Sequence, residues 1–269
     1  MSELHQDQYD LVRSLFQPLE QRPFVAGALA GSEASRMLVD DPAAPRTAFL
    51  LVRHTWGYLA GESANDAFNR ALNRSLFSRE LVPDGVPLLQ LTCHPEDWGN
   101  QLAVVCHPRR PAVESRHHFA ARQLEYDWRA LLPGGYTGPF IDEALLAQVG
   151  PGVPDDVSNL VAARAAAAGR IEGGFGFAVL HDNHPVSYAV VDSVAGPLGE
   201  IFLFTVEEQR RRGLATIATA ATIEYGLTHG LQWINWDCQT DNVGSLRTAQ
   251  RLGLEQIDTY RMYYFFYSE

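Results

Sequence analysis

Lysine is absent from this chain: all 21 basic side chains among its 269 residues are arginine. That excludes a P-loop lysine, a Schiff-base lysine and a lysine general base at once. Beside so much alanine, a GC-rich genome accounts for the bias better than any functional demand. Cysteine is scarce too, and Cys93, Cys106 and Cys238 make an odd number with no disulfide framework, as expected of a reducing, cytoplasmic setting. Cys93-His94-Pro95 and Cys106-His107-Pro108 invite a zinc reading. Each tripeptide follows an apolar run, however, so two strands ending in proline turns are the simpler account and no metal is expected. No uninterrupted apolar run approaches the roughly 20 residues of a membrane span, and the start, Met1 to Asp10, is polar and acidic. Cations are also outnumbered, 21 against 32 carboxylates, for a net charge of −11. That balance argues against a nucleic-acid partner and is compatible with a cationic amine substrate.

What is present reads as a mixed α/β protein in two parts. Tyr9, Val12, Phe16 and Leu19 predict an amphipathic first helix stopped by Pro23. Strands are predicted at Phe24 to Leu29, Arg36 to Val39, Thr47 to Arg53, Pro87 to Thr92 and Leu102 to Cys106, with a helix at Ala64 to Phe77. No catalytic motif appears in this half. His117 and His118 are adjacent, so on a strand at most one could face a site, and both are read as structural or surface residues. After a short helix at Ile141 to Val149 the run Pro151-Gly152-Val153-Pro154 breaks the chain. The boundary is expected there, between residues 1–150 and 151–269. An alanine-rich helix, Val157 to Ala168, leads to Gly173-Gly174-Phe175-Gly176-Phe177. Those glycines precede a β-hairpin turning at Asp182-Asn183, which is the wrong context for a dinucleotide fingerprint.

The most informative stretch is Ile201 to Thr216: an apolar strand, a polar turn, then Arg210-Arg211-Arg212-Gly213-Leu214-Ala215 opening a helix. The first amides of a helix have no partner inside it, and its dipole leaves partial positive charge there, so an anion can lie on main chain. The same hexapeptide is also compatible with a solvated arginine cluster beginning a surface helix. Beyond it come a helix closed by Gly230, a strand at Leu231 to Trp236, a helix through Asn242 and Ser245 closed by Gly253, and an aromatic strand, Tyr260 to Tyr267.

The pattern Arg-x-x-Gly-x-Ala after a strand, followed by strand, Asn-x-x-Ser, helix and Leu-Gly-Leu, resembles the GNAT superfamily of acyl-CoA N-acyltransferases from Gly174 to the C-terminus. The resemblance implies a C-terminal GNAT fold behind a divergent α/β N-terminal half on the substrate side. It further implies a co-substrate, acetyl-CoA or another acyl-CoA, with its pyrophosphate on Arg210, Arg211, Arg212, Gly213, Leu214, Ala215 and Thr216. The pantetheine arm would lie along the main chain of Phe204 and Thr205 and meet Asn242 and Ser245; asparagine there is equally a helix N-cap. The unmotifed front half, the Gly-Gly-Phe-Gly-Phe strand and the segment Trp236 to Ser245 are similar to the group that includes the zwittermicin A resistance acetyltransferase.

By the same resemblance a small-molecule amine attacks the thioester directly. Glu200, on the strand before the loop, is the candidate base, though one residue nearer the loop than its counterparts; without a bulge it would face away from the site. The tyrosine that protonates the leaving thiolate in many members is replaced by Ala249. Tyr260, Tyr263 and Asp237 are candidates for that task from their neighbourhood in the fold. Cys238 is read as core. A non-catalytic acyl-CoA-binding or interaction module with a degenerate site is the alternative; turnover with an amine panel separates the two.

Overall fold

The computed structural model describes residues 1–149, 155–167 and 169–267. They form two compact units, Met1–Arg116 with Thr259–Glu269, and His117–Asp258.

The first unit opens with β1 (Ser2–Leu4), a 3-10 segment running into α1 (Arg13–Phe16), and α2 (Pro23–Ala30). β2 (Ser35–Val39), β3 (Thr47–Val52) and β4 (Trp56–Gly61) follow as an antiparallel run. The chain then crosses through α3 (Asp66–Phe77) to β5 (Leu88–His94), parallel to β4, and continues into α4 (Trp98–Val105) and β6 (Ala112–Ala121), which from His117 onward belongs to the second unit. The C-terminal strand returns antiparallel to β5. Alternation on β3 sends Phe49 and Leu51 into a core beneath α3 and α4, while Ala48, Leu50 and Val52 join Val12, Phe16 and Val25 on the other face.

Three expectations for this unit need correction. Phe24 to Leu29 is helix α2, not a strand. Pro23 starts it at a position where its missing N–H is harmless, and its nearly all-buried composition hides the helical period. Leu102 to Cys106 belongs to helix α4, in which Trp98, Leu102 and Val105 are buried at helical spacing, with Cys106 as its C-cap. The amphipathic first helix is a broken series of 3-10 and α turns. Strand β4 had no sequence signal.

The second unit holds β7 (Tyr136–Thr137), α5 (Glu143–Val149), α6 (Asp155–Ala166), β8 (Phe175–His181), β9 (His184–Ala195) and β10 (Leu198–Thr205). α7 (Leu214–Thr228) crosses to β11 (Trp233–Gln239), and α8 (Val243–Arg251) leads into β12 (Glu255–Phe266), whose last residues are the returning strand of the first unit. The strand order is β6-β11-β10-β9-β8-β7, with β10 and β11 parallel and β8, β9 and β10 antiparallel. The predicted hairpin is present, and Asp182 and Asn183 both take the left-handed conformation that a two-residue turn of matching twist requires.

One face of this sheet packs on α7 and α8 through Phe175, Ala189, Val191 and Ile201; the other packs on α5 and α6 through Ala178, Leu180, Tyr188 and Val190. Because Leu145 of α5 and Leu160 of α6 share that second core, compaction divides the chain at 116/117 and 258/259 rather than near residue 150. The Pro151 to Pro154 break and the expected helix end at Ala168 lie outside the described residues.

Candidate active site

The turn before α7 contains two left-handed residues, Arg211 (φ 65) and Gly213 (φ 81). A non-glycine residue held there costs about 1–2 kcal/mol, so the turn is maintained by its surroundings. One brace is the Arg210 Nε, which donates to the Thr205 carbonyl at 3.2 Å. Gly213 is the N-cap of α7 and offers no side-chain acceptor. The first amide to bond within the helix is Ile217, to the Gly213 carbonyl at 3.1 Å, so the amides of Leu214, Ala215 and Thr216 have no acceptor inside the helix.

Next to this turn the sheet opens. β10 and β11 pair only from Leu198 opposite Trp233 to Glu200 opposite Asn235, after which the two strands part. On its other side β10 stays paired with β9 as far as Thr205 opposite Ser187, so Ile201 to Thr205 presents one unpaired main-chain edge toward β11. α8 begins across the gap. Asn242 caps it, its Oδ1 accepting from the Ser245 amide at 3.1 Å, an interaction worth about 1 kcal/mol.

These pieces enclose a cavity of about 580 Å³. Every residue expected from sequence to hold the co-substrate lines it except Arg212. Arg212 turns outward, its Nη1 donating to the Tyr136 hydroxyl at 3.2 Å, and that hydroxyl donates to the Gln209 Oε1 at 2.8 Å. The lining also includes Leu203, Gln209, Gly244, Arg247, Thr248 and Arg251, none of which was singled out from sequence. Four arginines and no carboxylate face this cavity, in a chain of net charge −11. A polyanion with a slender arm fits such a lining: loop amides and guanidinium groups for its phosphates, and an open strand edge for its amides.

The four catalytic candidates, Glu200, Asp237, Tyr260 and Tyr263, fall outside that lining. Glu200 is the last residue of β10 still paired with β11, and the register shift beside it passes over Asp192 on β9. β10 itself alternates without interruption, so Glu200 shares with Phe202 and Phe204 the face opposite Ile201. Asn235 lies opposite Glu200, and Asp237 follows two residues later where β11 has parted, so both carboxylates project from one face at the fork. Tyr260 belongs to the first unit, where the Arg22 guanidinium covers its ring at 3.9 Å.

His118 is fully buried, its Nε2 2.7 Å from the Asn235 Oδ1 and its Nδ1 3.8 Å from Asp258. It is therefore a built-in partner of the fork, whereas His117 meets Gln256 at 3.1 Å in an exposed position. Cys238 lies in the core beneath α7, as expected. Burial pushes the Cys106 thiol up to about 12, and Cys93 higher still, with the nearby Cys106 adding to it. Thiols so disposed are poor nucleophiles and poor metal ligands. Among the described residues no group of histidine, cysteine and carboxylate side chains is arranged to hold a metal ion, and no helix is long and apolar enough to cross a membrane.

Comparison with known proteins bears on the same features. The profile of the GNAT acetyltransferase family matches residues 13–263. An uncharacterized N-acetyltransferase of Bacillus subtilis, YdfB, is 24% identical over 267 residues, covering 98% of each chain. Among solved structures, a GCN5-related N-acetyltransferase-like protein from Streptococcus suis superimposes with a TM-score of 0.68 at 24% identity, covering 97% of this chain and 98% of its own. A tandem GNAT protein from the clavulanic acid biosynthesis pathway gives 0.58 at 16% identity over 96% of this chain and 94% of its own. With the family profile spanning nearly the whole sequence, the chain belongs to the GNAT acetyltransferase family and is an N-acetyltransferase.

Proposed function

We propose that the enzyme transfers an acyl group, in the first instance acetyl, from coenzyme A to the amine of a small molecule by direct attack on the thioester. The observation that carries this reading is the parting of β10 from β11 after Glu200, immediately beside the uncapped first turn of α7. When bound, the coenzyme A thioester supplies the activated acyl group. The amides of Leu214, Ala215 and Thr216, with Arg210 and Arg211, hold the diphosphate. The free edge of Phe204 and Thr205 aligns the pantetheine arm as an added strand would be aligned, and Asn242 with Ser245 bounds it from α8.

At the fork, Glu200 and Asp237 supply the carboxylates that accept the proton of the acceptor ammonium, directly or through water. A tyrosine at position 249 could not act as general acid without rebuilding the core, because Ala249 is fully buried. The acceptor is an amine whose ammonium form suits an acidic face, in keeping with the surplus of carboxylates. Within the family, the segment Trp236 to Ser245, which forms the parted end of β11 and the cap of α8, supports kinship with the zwittermicin A resistance acetyltransferase group. Three free cysteines, two of them buried, suit a reducing cytoplasm.

The test is a thermal scan with and without acetyl-CoA, followed by thiol release across a panel of small amines. Acetyl-CoA at about 100 times its Kd is expected to add about 2.7 kcal/mol to stability and so raise Tm by several degrees. Release must then depend on the amine. A melting temperature indifferent to every acyl-CoA tried would overturn the proposal.

A further inference from the structure

The loop amides, Arg210, Arg211 and the strand edge account for a diphosphate and its arm. They leave two cations unexplained. Arg247 and Arg251 stand four residues apart on α8, hence on one helix face, and both line the cavity. Neither holds an ion pair or a side-chain hydrogen bond with any other described residue. Both are exposed, and two like charges at this spacing repel each other. Ala249 turns into the core and Thr248 is the buried residue of α8 at the cavity wall, so packing of the helix does not require arginine at 247 or 251. No carboxylate in the lining offsets them. A pair of unpaired guanidinium groups at the edge of an acid-free cavity is matched to a second anion, separate from the one on the α7 turn, and best to a dianionic phosphate monoester taken in forked geometry.

Resting on the acyl-CoA reading, we infer that Arg247 and Arg251 recognise the monoester phosphate on the ribose of coenzyme A. They thereby restrict the enzyme to free coenzyme A thioesters over donors that carry the pantetheine arm without that phosphate. The α7 turn reads what such donors share, and α8 reads what distinguishes them. Selectivity for the donor thus comes from a helix that the Arg-x-x-Gly-x-Ala pattern does not include.

Isothermal titration of the full chain with coenzyme A and with dephospho-coenzyme A tests this without any variant. Coenzyme A is expected to bind about tenfold or more tightly, with the steeper dependence on salt. In the double variant Arg247→Gln, Arg251→Gln that ratio is expected to fall to within about threefold of unity, chiefly through weaker binding of coenzyme A. Equal affinities in the unaltered enzyme would overturn the inference while leaving the acyl-CoA reading intact. So would a double variant that weakens both ligands alike, since the arginines would then serve the shared diphosphate. Binding of neither ligand would overturn the acyl-CoA reading, and this inference with it.

Discussion

The two units contain the same local arrangement, strand, helix, parallel strand, and only one of them is open. In the first unit β4 pairs with β5 from Trp56 opposite Gln90 to Ala60 opposite His94, nearly its full length. In the second, β10 pairs with β11 over three of its eight residues. The connecting helices differ in the same sense. α3 is capped by Asn65, whose Oδ1 accepts from the Phe68 amide at 3.1 Å, and Asp66 puts a negative charge in the first turn. The Asn65 amide group in turn donates to Asp40 and Thr47, each at 3.1 Å, so that end is closed by its own neighbours. α7 has glycine in the capping place and no acid in its first turn. A strand-helix-strand crossover is therefore not itself an anion site. Two departures make a candidate of it: strands that stop pairing early and a helix start left unfilled.

The sharpest way to break this contrast is to fill the second start as the first is filled. Gly213→Glu imposes a side chain on a left-handed residue and an anion on the position proposed for the phosphate. A Cβ there meets no atom within 4 Å, so the fold is expected to survive. Acetyl-CoA affinity should fall by about 100-fold or more, erasing the Tm increment while far-UV circular dichroism is retained. Retained affinity would mean that the turn is not where the anion sits.

A milder comparison pairs the two capping asparagines. Asn65→Ala and Asn242→Ala should each cost about 1 kcal/mol of stability, read as a lowered urea midpoint. Only Asn242→Ala should also raise the KM for acetyl-CoA, because Asn65 has no cavity beside it among those lined by the α7 turn. Equal effects on KM would erase the distinction between the units.

The smallest effect is at the edge strand of the first unit. Arg36 donates to both oxygens of Glu3, at 2.8 and 2.7 Å, and that hydrogen bonding, with a smaller charge contribution, holds the Glu3 carboxyl below its ordinary value. The folded-state value being lowered, the contribution is present above the unfolded pKa and disappears as pH falls through the folded one. Both partners are substantially exposed, so Glu3→Gln should cost less than about 1 kcal/mol near neutrality. The two melting curves should converge in acid, and the acetyl-CoA increment should be the same in both.

The second unit was legible in sequence because its signals are local. Glycines at 213, 230 and 253 mark helix ends, Asp182-Asn183 marks a hairpin, and Asn242 marks a cap. The first unit was less so. Its α2 is apolar on nearly every side, which erases periodicity, and its β4 is short and contains Gly57. The early end of β10–β11 pairing is a relation between distant residues and leaves no trace in either strand alone. Arg247 and Arg251 could have been found, since cations four apart on a helix following Asn242 share one face. The polar contact of His118 with Asn235 could not, because 117 positions separate them.

The free edge from Ile201 to Thr205 carries a further consequence. Phe202 and Phe204 are 47% and 39% exposed along it, so the strand joins apolar side chains to main-chain groups with bonding capacity to spare. Such a strand is a template on which a foreign chain can nucleate. If the thioester lies along this edge as proposed, its occupancy guards solubility as well as supplying acyl groups, and loss of the donor pool leaves the protein prone to self-association.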